Sequence, residues 1–229
     1  MRWETLLFAH WPVDSALLSA QMPPALELDL FDGQAWLGIV PFRMSGVRLR
    51  GLPPIPGTSA FPELNVRTYV RHRERPGVWF FSLDAASPLA VVAARALYHL
   101  PYRHAEMACV ENQANIDYSS RRTERHYPSA DFSARYRPIG ECFRSRPGSL
   151  EHWLTERYFL FSADNRGRLF SGRIAHDPWP LQPATAEIRT NTMTNGLGIQ
   201  LSMPPALLHY AEAVEVAAWH VRCCRQFSH

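Results

Sequence analysis

The chain has 229 residues, of which 46% are hydrophobic, enough for a sizeable core in one large domain or two small ones. A formal net charge of +3 is too small to indicate a nucleic-acid partner, and no apolar run is long enough to span a membrane. The sequence contains no lysine, because all 24 basic residues are arginine, so no lysine amine is available to form an imine with a carbonyl substrate.

Proline and cysteine usage narrow the class further. Nineteen prolines against twelve glycines indicate many short elements joined by stiff connections, which is typical of β architecture. No linker divides the chain, so we expect one domain over residues 1–229. The N-terminus lacks a signal-peptide pattern and the four cysteines lack C-x-x-C spacing, which predicts a reduced, cytoplasmic protein. The sequence leaves open whether it is a homo-oligomer.

The first quarter of the chain predicts three strands and a short helix. Strands are expected at residues 3–10, 26–31 and 35–44, and a helix capped by Asp14 is expected to end near residue 19. Asp32-Gly33 is a two-residue hairpin signal between the second and third strands. Residues 51–57, rich in proline and glycine, predict a stiff exposed loop that overhangs the next strand.

Residues 61–70 have the most informative pattern in the chain. With a period of two, one face of this predicted strand carries aliphatic and β-branched side chains. The other face carries an acid, an amide, a guanidinium and a phenol: Glu63, Asn65, Arg67 and Tyr69. A carboxylate beside a guanidinium can act as an acid or base while the cation holds an anionic substrate.

This polar row either faces water or lines a cavity inside a curved sheet. The next predicted strand, residues 77–84, is apolar on both faces and is therefore expected to be buried on both sides. An exposed hairpin would not need such a partner, so we favour the cavity. On the residues alone, a cross-strand ion pair on the protein surface remains an equal alternative for these charged side chains.

A helix follows, capped by Ser87 with Pro88 in its first turn, and it must end by about His99 because Pro101 follows. Its predicted buried stripe consists of Leu89, Val92, Ala93, Ala96 and Leu97. The helix leads through Tyr102, Arg103 and His104 into a strand over residues 105–118. Such a junction can present side chains to a cavity mouth, but a plain turn explains these three residues better on sequence alone.

The second half predicts more strands and little helix. We expect strands at residues 132–137, 157–162, 168–175, 179–188 and 214–221, with a short helix at 149–155. No histidine pair has metal-binding spacing, and the sequence contains no serine-hydrolase elbow, phosphate loop or dinucleotide fingerprint. We therefore predict neither a metal site nor a cofactor.

Five segments together carry a family resemblance: residues 61–70, 77–84, 100–102, 154–158 and 176–181. They resemble the YqjF-like family of bacterial proteins, and the likeness extends over nearly the whole chain. That family in turn resembles the acetoacetate decarboxylase superfamily at a distance. The resemblance implies a mainly β fold: a curved, cone-like antiparallel β-barrel with a few flanking helices and an internal cavity.

The resemblance also shows where this chain departs from the decarboxylases. Pro101-Tyr102-Arg103 stands in the place of their Pro-Lys-Lys segment, whose first lysine forms the imine, and Glu63 resembles their cavity glutamate. Their N-terminal arginine has no clear match, since His10 lies in that neighbourhood. Neither tyrosine nor arginine can serve as an imine-forming amine, so decarboxylation through an imine is excluded.

The resulting expectation is a barrel that binds a small molecule in a polar cavity. Glu63 would be the acid or base, Tyr102 would donate a hydrogen bond, and the ligand contacts would come from Asn65, Arg67, Tyr69, Arg103, His104 and His10. Lyase, isomerase or hydratase chemistry on an oxo-acid fits these groups. The alternative is a non-catalytic scaffold whose cavity is plugged by Trp79, Phe81 or Tyr102.

Overall fold

The computed structural model of the protein describes residues 1–47 and 59–224. Within these ranges the helices are α1 (Ser15–Ser19), α2 (Pro88–Tyr98) and α3 (Leu150–Thr155), with a short 3₁₀ turn at Asn195–Leu197. The strands are β1 (Arg2–Val13), β2 (Glu27–Leu28), β3 (Ala35–Ser45), β4 (Phe61–His72), β5 (Arg75–Ala85), β6 (Tyr102–Asn112), β7 (Asn115–Arg122), β8 (Asp131–Pro138), β9 (Phe159–Ala163), β10 (Leu169–Ala175), β11 (Leu181–Asn191), β12 (Leu207–Glu215), β13 (Ala217–Ala218) and β14 (Arg222–Cys223).

Local sequence signals predict most ends of the helices and strands correctly. The side chains of Asp14 and Ser87 cap α1 and α2 as predicted, each by accepting a backbone N–H bond. Asp32 and Gly33 both have positive φ, as a two-residue hairpin turn requires. The predicted loop over residues 51–57 lies outside the described residues.

Three predicted strands differ from the structure. The strand expected at residues 26–31 shortens to β2, and the long strand expected at 105–118 is the hairpin of β6 and β7. Gln113, with φ of 56°, supplies the turn that the sequence pattern did not indicate. The last strand, expected at 214–221, is divided between the end of β12 and the short β13.

Nine of the described strands close into a ring, in the order β5-β6-β7-β8-β11-β12-β1-β3-β4, with β4 returning to β5. This confirms the mainly β barrel with a few helices. Neighbouring strands of the ring are antiparallel, except β5 and β6, which pair in parallel through residues 83–85 and 102–104. The parallel pair follows from α2, which carries the chain back across the sheet between these two strands.

Apolar side chains fill the inside of this ring. Leu7, Leu37, Leu64 and Val66 from one side meet the β7 and β8 side chains from the other. Tyr118 of β7 donates a hydrogen bond across the ring to the backbone oxygen of Glu63 (2.7 Å). We call this cluster of buried side chains the ring core.

A second apolar layer covers the outer face of β12, β1, β3, β4 and β5. It is enclosed by side chains from α2, α3, β9 and β10, namely Val91, Leu154, Leu160 and Ile174. We call the space between these elements and the outer face of the five strands the outer layer. The polar row of β4 faces it.

The predicted buried stripe of α2 is wrong, because it faces outward. Leu89 and Val92 are each 64% exposed, and Leu97 is 46% exposed. The helix is buried instead through Val91, with Ala90, Ala94 and Tyr98 packed beside it. Arg95 is the one charged residue of this helix, so apolar residues occupy both faces and periodicity cannot choose between them.

None of the described helices combines the length and hydropathy needed to cross a membrane.

Candidate functional site

The alternation of β4 separates its side chains into two sets. Leu64 and Val66 join the ring core, whereas Glu63, Asn65 and Arg67 point into the outer layer. A register shift opposite Val66 and Arg67 absorbs one extra residue in β5, so β4 itself alternates without interruption. The row thus faces an enclosed layer, but not the inside of the closed ring where a barrel cavity was expected.

Glu63 and Tyr102 form a buried hydrogen-bonded pair. The Tyr102 hydroxyl donates to Oε2 of Glu63 at 2.8 Å, and the residues are 9% and 3% exposed. Their strands are separated only by β5, because Leu83 pairs with Asn65 on one side and with Tyr102 on the other. The short segment from α2 through Pro101 therefore delivers the phenol to the carboxyl group.

Burial changes the protonation state of this pair. Loss of solvation raises the pKa of Glu63 to about 8, the negative charge of Asp84 acts in the same direction, and the Tyr102 hydrogen bond opposes them. Burial also raises the pKa of Tyr102 well above its usual value. At neutral pH the pair is therefore an uncharged carboxylic acid beside an uncharged phenol.

His10 and Tyr69 form a second buried pair. His10 Nε2 lies 2.7 Å from the Tyr69 hydroxyl, and both residues are 0% exposed. Desolvation, followed by the charge of Arg67, lowers the pKa of His10 well below its usual value, so its ring is neutral. Gly38 on β3 makes room for this pair, because a Cβ there would lie 3.2 Å from His10 and 3.4 Å from the Tyr69 hydroxyl.

Two guanidinium groups meet at the end of α3. Arg67 donates from Nη2 to the backbone oxygen of Leu154 (3.3 Å), and Arg157 donates from Nε to that of Trp153 (2.5 Å). Both groups lie against the Tyr69 ring, at 5.7 and 5.2 Å from its centroid. Helix carbonyls thus hold both cations in place.

Only one of these two cations has a carboxylate partner within the described residues. Arg157 Nη1 pairs with Asp29 at 2.6 Å, and both side chains are 5% exposed. In the part of the chain that the structure describes, no ion pair reaches Arg67, which is 8% exposed. A buried guanidinium without an anion costs free energy of folding.

Several buried polar atoms in the outer layer also have no hydrogen-bond partner in residues 1–47 and 59–224. Those on or beside its inner face are Trp3 Nε1, His10 Nδ1, Trp36 Nε1, Asn65 Oδ1, Arg67 Nε, Arg157 Nη2 and His209 Nδ1. On the ring-core face, Ser120 Oγ is the one such atom among the described residues, and Tyr118 and Tyr136 both donate their hydroxyl groups to backbone oxygens. Buried polar groups are normally satisfied, so this concentration marks the layer as a place for a ligand or water.

Arg103 and His104 lie apart from this cluster. The Arg103 guanidinium stacks on Tyr127, 3.5 Å from the ring centroid. The half-buried His104 places Nδ1 2.9 Å from the Thr123 hydroxyl. The structure therefore brings together six of the predicted site residues, Glu63, Asn65, Arg67, Tyr69, Tyr102 and His10, and leaves these two outside.

Sequence reasoning missed Arg157, Asp29 and His209. Arg157 lies two residues after the end of α3, and Trp179 fixes that end by donating from its indole Nε1 to the Thr155 backbone oxygen (2.9 Å). A charged residue next to a buried helix was the one available signal. Asp29 lies 128 residues from Arg157 in the chain, so no local pattern joins them.

Of the residues suggested as plugs, only Tyr102 enters the layer next to Glu63. Trp79 and Phe81 are half-buried and pack elsewhere, with Phe81 against the ring core. The described residues contain no group of three His, Cys, Asp or Glu side chains arranged to hold a metal ion.

Sequence comparison finds two informative matches. The profile of the DUF2071 family, described as an uncharacterized conserved protein, matches residues 1–215. The protein named "Uncharacterized protein YqjF" from Bacillus subtilis is 49% identical over 220 residues, covering 96% of this chain and 90% of its own.

Structure comparison finds the same fold in two enzymes. Acetoacetate decarboxylase from Legionella pneumophila aligns with a TM-score of 0.63 and 13% identity, over 98% of this chain and 88% of that one. The enduracididine biosynthesis enzyme MppR, solved with pyruvate, aligns with a TM-score of 0.65 and 12% identity, over 97% and 88%. At these identities the likeness extends to the fold alone.

Proposed function

Because the chain belongs to the DUF2071 family and places an acid, a phenol and an unpaired guanidinium in one buried layer, we propose that it binds a small anionic carbonyl compound there. If it is an enzyme, the chemistry is acid–base catalysis of a lyase, isomerase or hydratase type. The ligand class is an oxo-acid or another enolisable carbonyl. No lysine is present, so no step of the reaction uses an imine to a lysine.

The Glu63–Tyr102 pair supplies the reactive groups. A protonated Glu63 accepts the Tyr102 bond on one oxygen and has its own O–H free to donate to a ligand oxygen. With Tyr102 it would stabilise negative charge that develops on that oxygen. Above about pH 8 the same carboxylate would act as a base.

Arg67 supplies the counter-charge for an anionic ligand. Its Nε has no partner among the described residues, and a guanidinium can bind a carboxylate through two parallel N–H bonds. The observation that carries the proposal is this buried, unpaired guanidinium on the same strand face as the buried Glu63–Tyr102 pair.

Thermal unfolding in the presence of linear oxo-carboxylates and enolisable ketones tests the proposal. A ligand that binds only the folded state raises Tm, so at least one compound should raise it by several degrees in the wild type. Glu63→Met and Arg67→Gln should lose most of that shift, whereas Arg189→Gln, which removes a half-exposed arginine, should keep it. A panel that stabilises nothing, or variants that respond like the wild type, would contradict the proposal.

The second candidate is a non-catalytic scaffold. The observation that favours it is the Tyr102 side chain, which fills the space next to Glu63 and satisfies one of its oxygens. This candidate predicts that Tyr102→Phe opens no binding and alters no ligand response. The same unfolding measurements therefore separate the two candidates.

The proposal extends to the cellular compartment and the binding partners of the protein. We place the protein in the cytoplasm, supported by cysteines that are all free in the described residues. A small molecule is the partner that the buried cluster fits. The modest net charge argues against nucleic acid, and self-association is left to measurement.

A further inference from the structure

We infer that the outer layer takes an elongated carboxylate, with its anionic group at Arg67 and Arg157 and a neutral oxygen at the Glu63–Tyr102 pair. This inference rests on the proposed function and narrows the ligand class. It follows from the charge at one end of the polar row, the length of the row, and the space beside it.

The first step concerns charge. The buried ionised groups at the α3 end are Arg67, Arg157 and Asp29, and Asp29 is also contacted by Arg71, which is 44% exposed and solvated. Because His10 is neutral, the buried groups leave one uncompensated positive charge. Two unpartnered donors, Arg67 Nε and Arg157 Nη2, lie in this region. One carboxylate would balance the charge and could accept from both.

The second step concerns distance. Glu63 and Arg67 are four residues apart on an extended strand, so their Cα atoms are about 13 Å apart. Their side chains also diverge, because Glu63 turns to Tyr102 whereas the Arg67 guanidinium lies over two other rings. Its Cζ atom is 5.6 Å from the Phe8 ring centroid and 5.7 Å from the Tyr69 ring centroid. After subtraction of a hydrogen bond of about 3 Å at each end, a bridging ligand spans roughly 7–10 Å. Pyruvate, with its keto group next to its carboxylate, can reach only one end.

The third step concerns space. A water-sized sphere touches Glu63, Asn65 and Arg67, which are 3%, 5% and 8% exposed, and Phe80 beside Arg67, which is 8% exposed. On the opposite face of the same strand, Leu64, Val66 and Thr68 are all 0% exposed. The residual space therefore adjoins Glu63, Asn65 and Arg67 and ends before Tyr69, which is 0% exposed. Between Glu63 and Arg67, Asn65 Oδ1 has no hydrogen-bond partner among the described residues.

Calorimetry with matched pairs of compounds tests the inference. Each pair is a keto-carboxylate and the plain carboxylate of equal length: 4-oxopentanoate with pentanoate, 6-oxoheptanoate with heptanoate, and 8-oxononanoate with nonanoate. The affinity ratio within a pair isolates the ketone, because longer chains bind several-fold better through apolar burial alone. We expect a ratio below about threefold for the shortest pair and about tenfold or more for one of the longer pairs.

Variants test which residues hold each end of the ligand. Tyr102→Phe and Glu63→Met, which leaves no hydrogen-bond donor at position 63, should bring the ratio of the best pair close to one while the plain carboxylate still binds. Arg67→Gln should weaken both members of that pair by about tenfold or more. Arg189→Gln should change neither. Thermal unfolding confirms that each variant is folded, and Arg67→Met replaces Arg67→Gln if the latter is not.

Three outcomes would overturn the inference. A ketone ratio that is equal at all lengths, or largest for the shortest pair, would leave the proposed function intact but show that the ligand is short. If Arg67→Gln binds the best pair as tightly as the wild type does, Arg67 does not hold the carboxylate of the ligand. No binding by any compound would defeat both this inference and the proposed function.

Discussion

The two faces of strand β4 border two different interiors. On one side, the ring core is apolar, Leu64 and Val66 are fully buried, and the tyrosine hydroxyl groups reach backbone acceptors. On the other side, the outer layer contains an acid, an amide and a guanidinium, with several unpartnered polar atoms and residual space. Both interiors have an apolar cluster of comparable make-up, so hydrophobicity does not separate them.

The difference indicates that the two interiors have different roles. A close-packed core in which polar groups are satisfied maximises stability. Buried groups that lack partners cost stability, and they persist where a ligand or reaction uses them. Under the proposed function, the ring core mainly stabilises the molecule and the outer layer binds the ligand.

The largest expected effect concerns the Glu63 proton. The folded protein holds it up to about pH 8, whereas the unfolded chain releases it near 4.5, so wild-type stability falls as pH rises between these values. Glu63→Gln lacks this dependence. Its free energy of unfolding relative to wild type should therefore rise by on the order of 4 kcal/mol from pH 4.5 to 8.

Urea titrations across that pH range measure this difference. The neutral histidines of the outer layer are present in both proteins, so their contribution cancels. The control is Glu187→Gln, which replaces a side chain that is 68% exposed. Its free energy of unfolding relative to wild type should not rise in this way with pH. Parallel stability curves for Glu63→Gln and wild type would mean that Glu63 is solvated, and the contrast between the two interiors would fail.

The next effect compares leucines on neighbouring strands. Leu64→Ala in the ring core should cost about 3–4 kcal/mol, because its surroundings are close-packed and cannot collapse into the cavity. Leu83→Ala, beside Asn65 in the outer layer, should cost about half as much, since a water-sized sphere already reaches Leu83. Equal losses in chemical denaturation would show that both interiors are equally well packed.

The polar row itself was predictable from sequence, and its location was not. Alternation of polar residues with aliphatic or β-branched ones over residues 63–70 fixes which side chains share a face. It does not say which face closes into the ring, because that depends on how β6–β8 and β11 fold across the sheet. The family resemblance predicted the barrel, but it matched Glu63 to a glutamate inside the barrel, whereas the polar row faces the outer layer.

Elsewhere the sequence failed where local patterns were ambiguous or contacts were distant. The α2 stripe was misassigned because alanines and valines occupy both faces of the helix. Arg157 reaches Asp29 across 128 residues, and its role depends on the position of α3 against Tyr69. Such tertiary placements leave no periodic signal.

A smaller effect, of opposite sign, distinguishes the two buried arginines. Arg67→Met should stabilise the protein by about 2 kcal/mol, because it removes an unpaired buried charge and keeps the apolar volume. Arg157→Met should destabilise it by about 3 kcal/mol, because Asp29 then loses its buried partner. Thermal unfolding without ligand measures both changes, and a destabilised Arg67→Met would mean that Arg67 is structural.

The smallest effect tests how closely β3 approaches the His10–Tyr69 pair. Gly38→Ala should cost about 1 kcal/mol, because the new methyl group would lie 3.2 Å from His10 and 3.4 Å from the Tyr69 hydroxyl. Tyr69→Phe removes that hydroxyl and the hydrogen bond that fixes His10, so Gly38→Ala should cost less in that background. A double-mutant cycle in urea should give a coupling of about 0.5 kcal/mol or more. Strictly additive costs would mean that β3 yields to the methyl group, and that the pair is held less rigidly than the packing around it indicates.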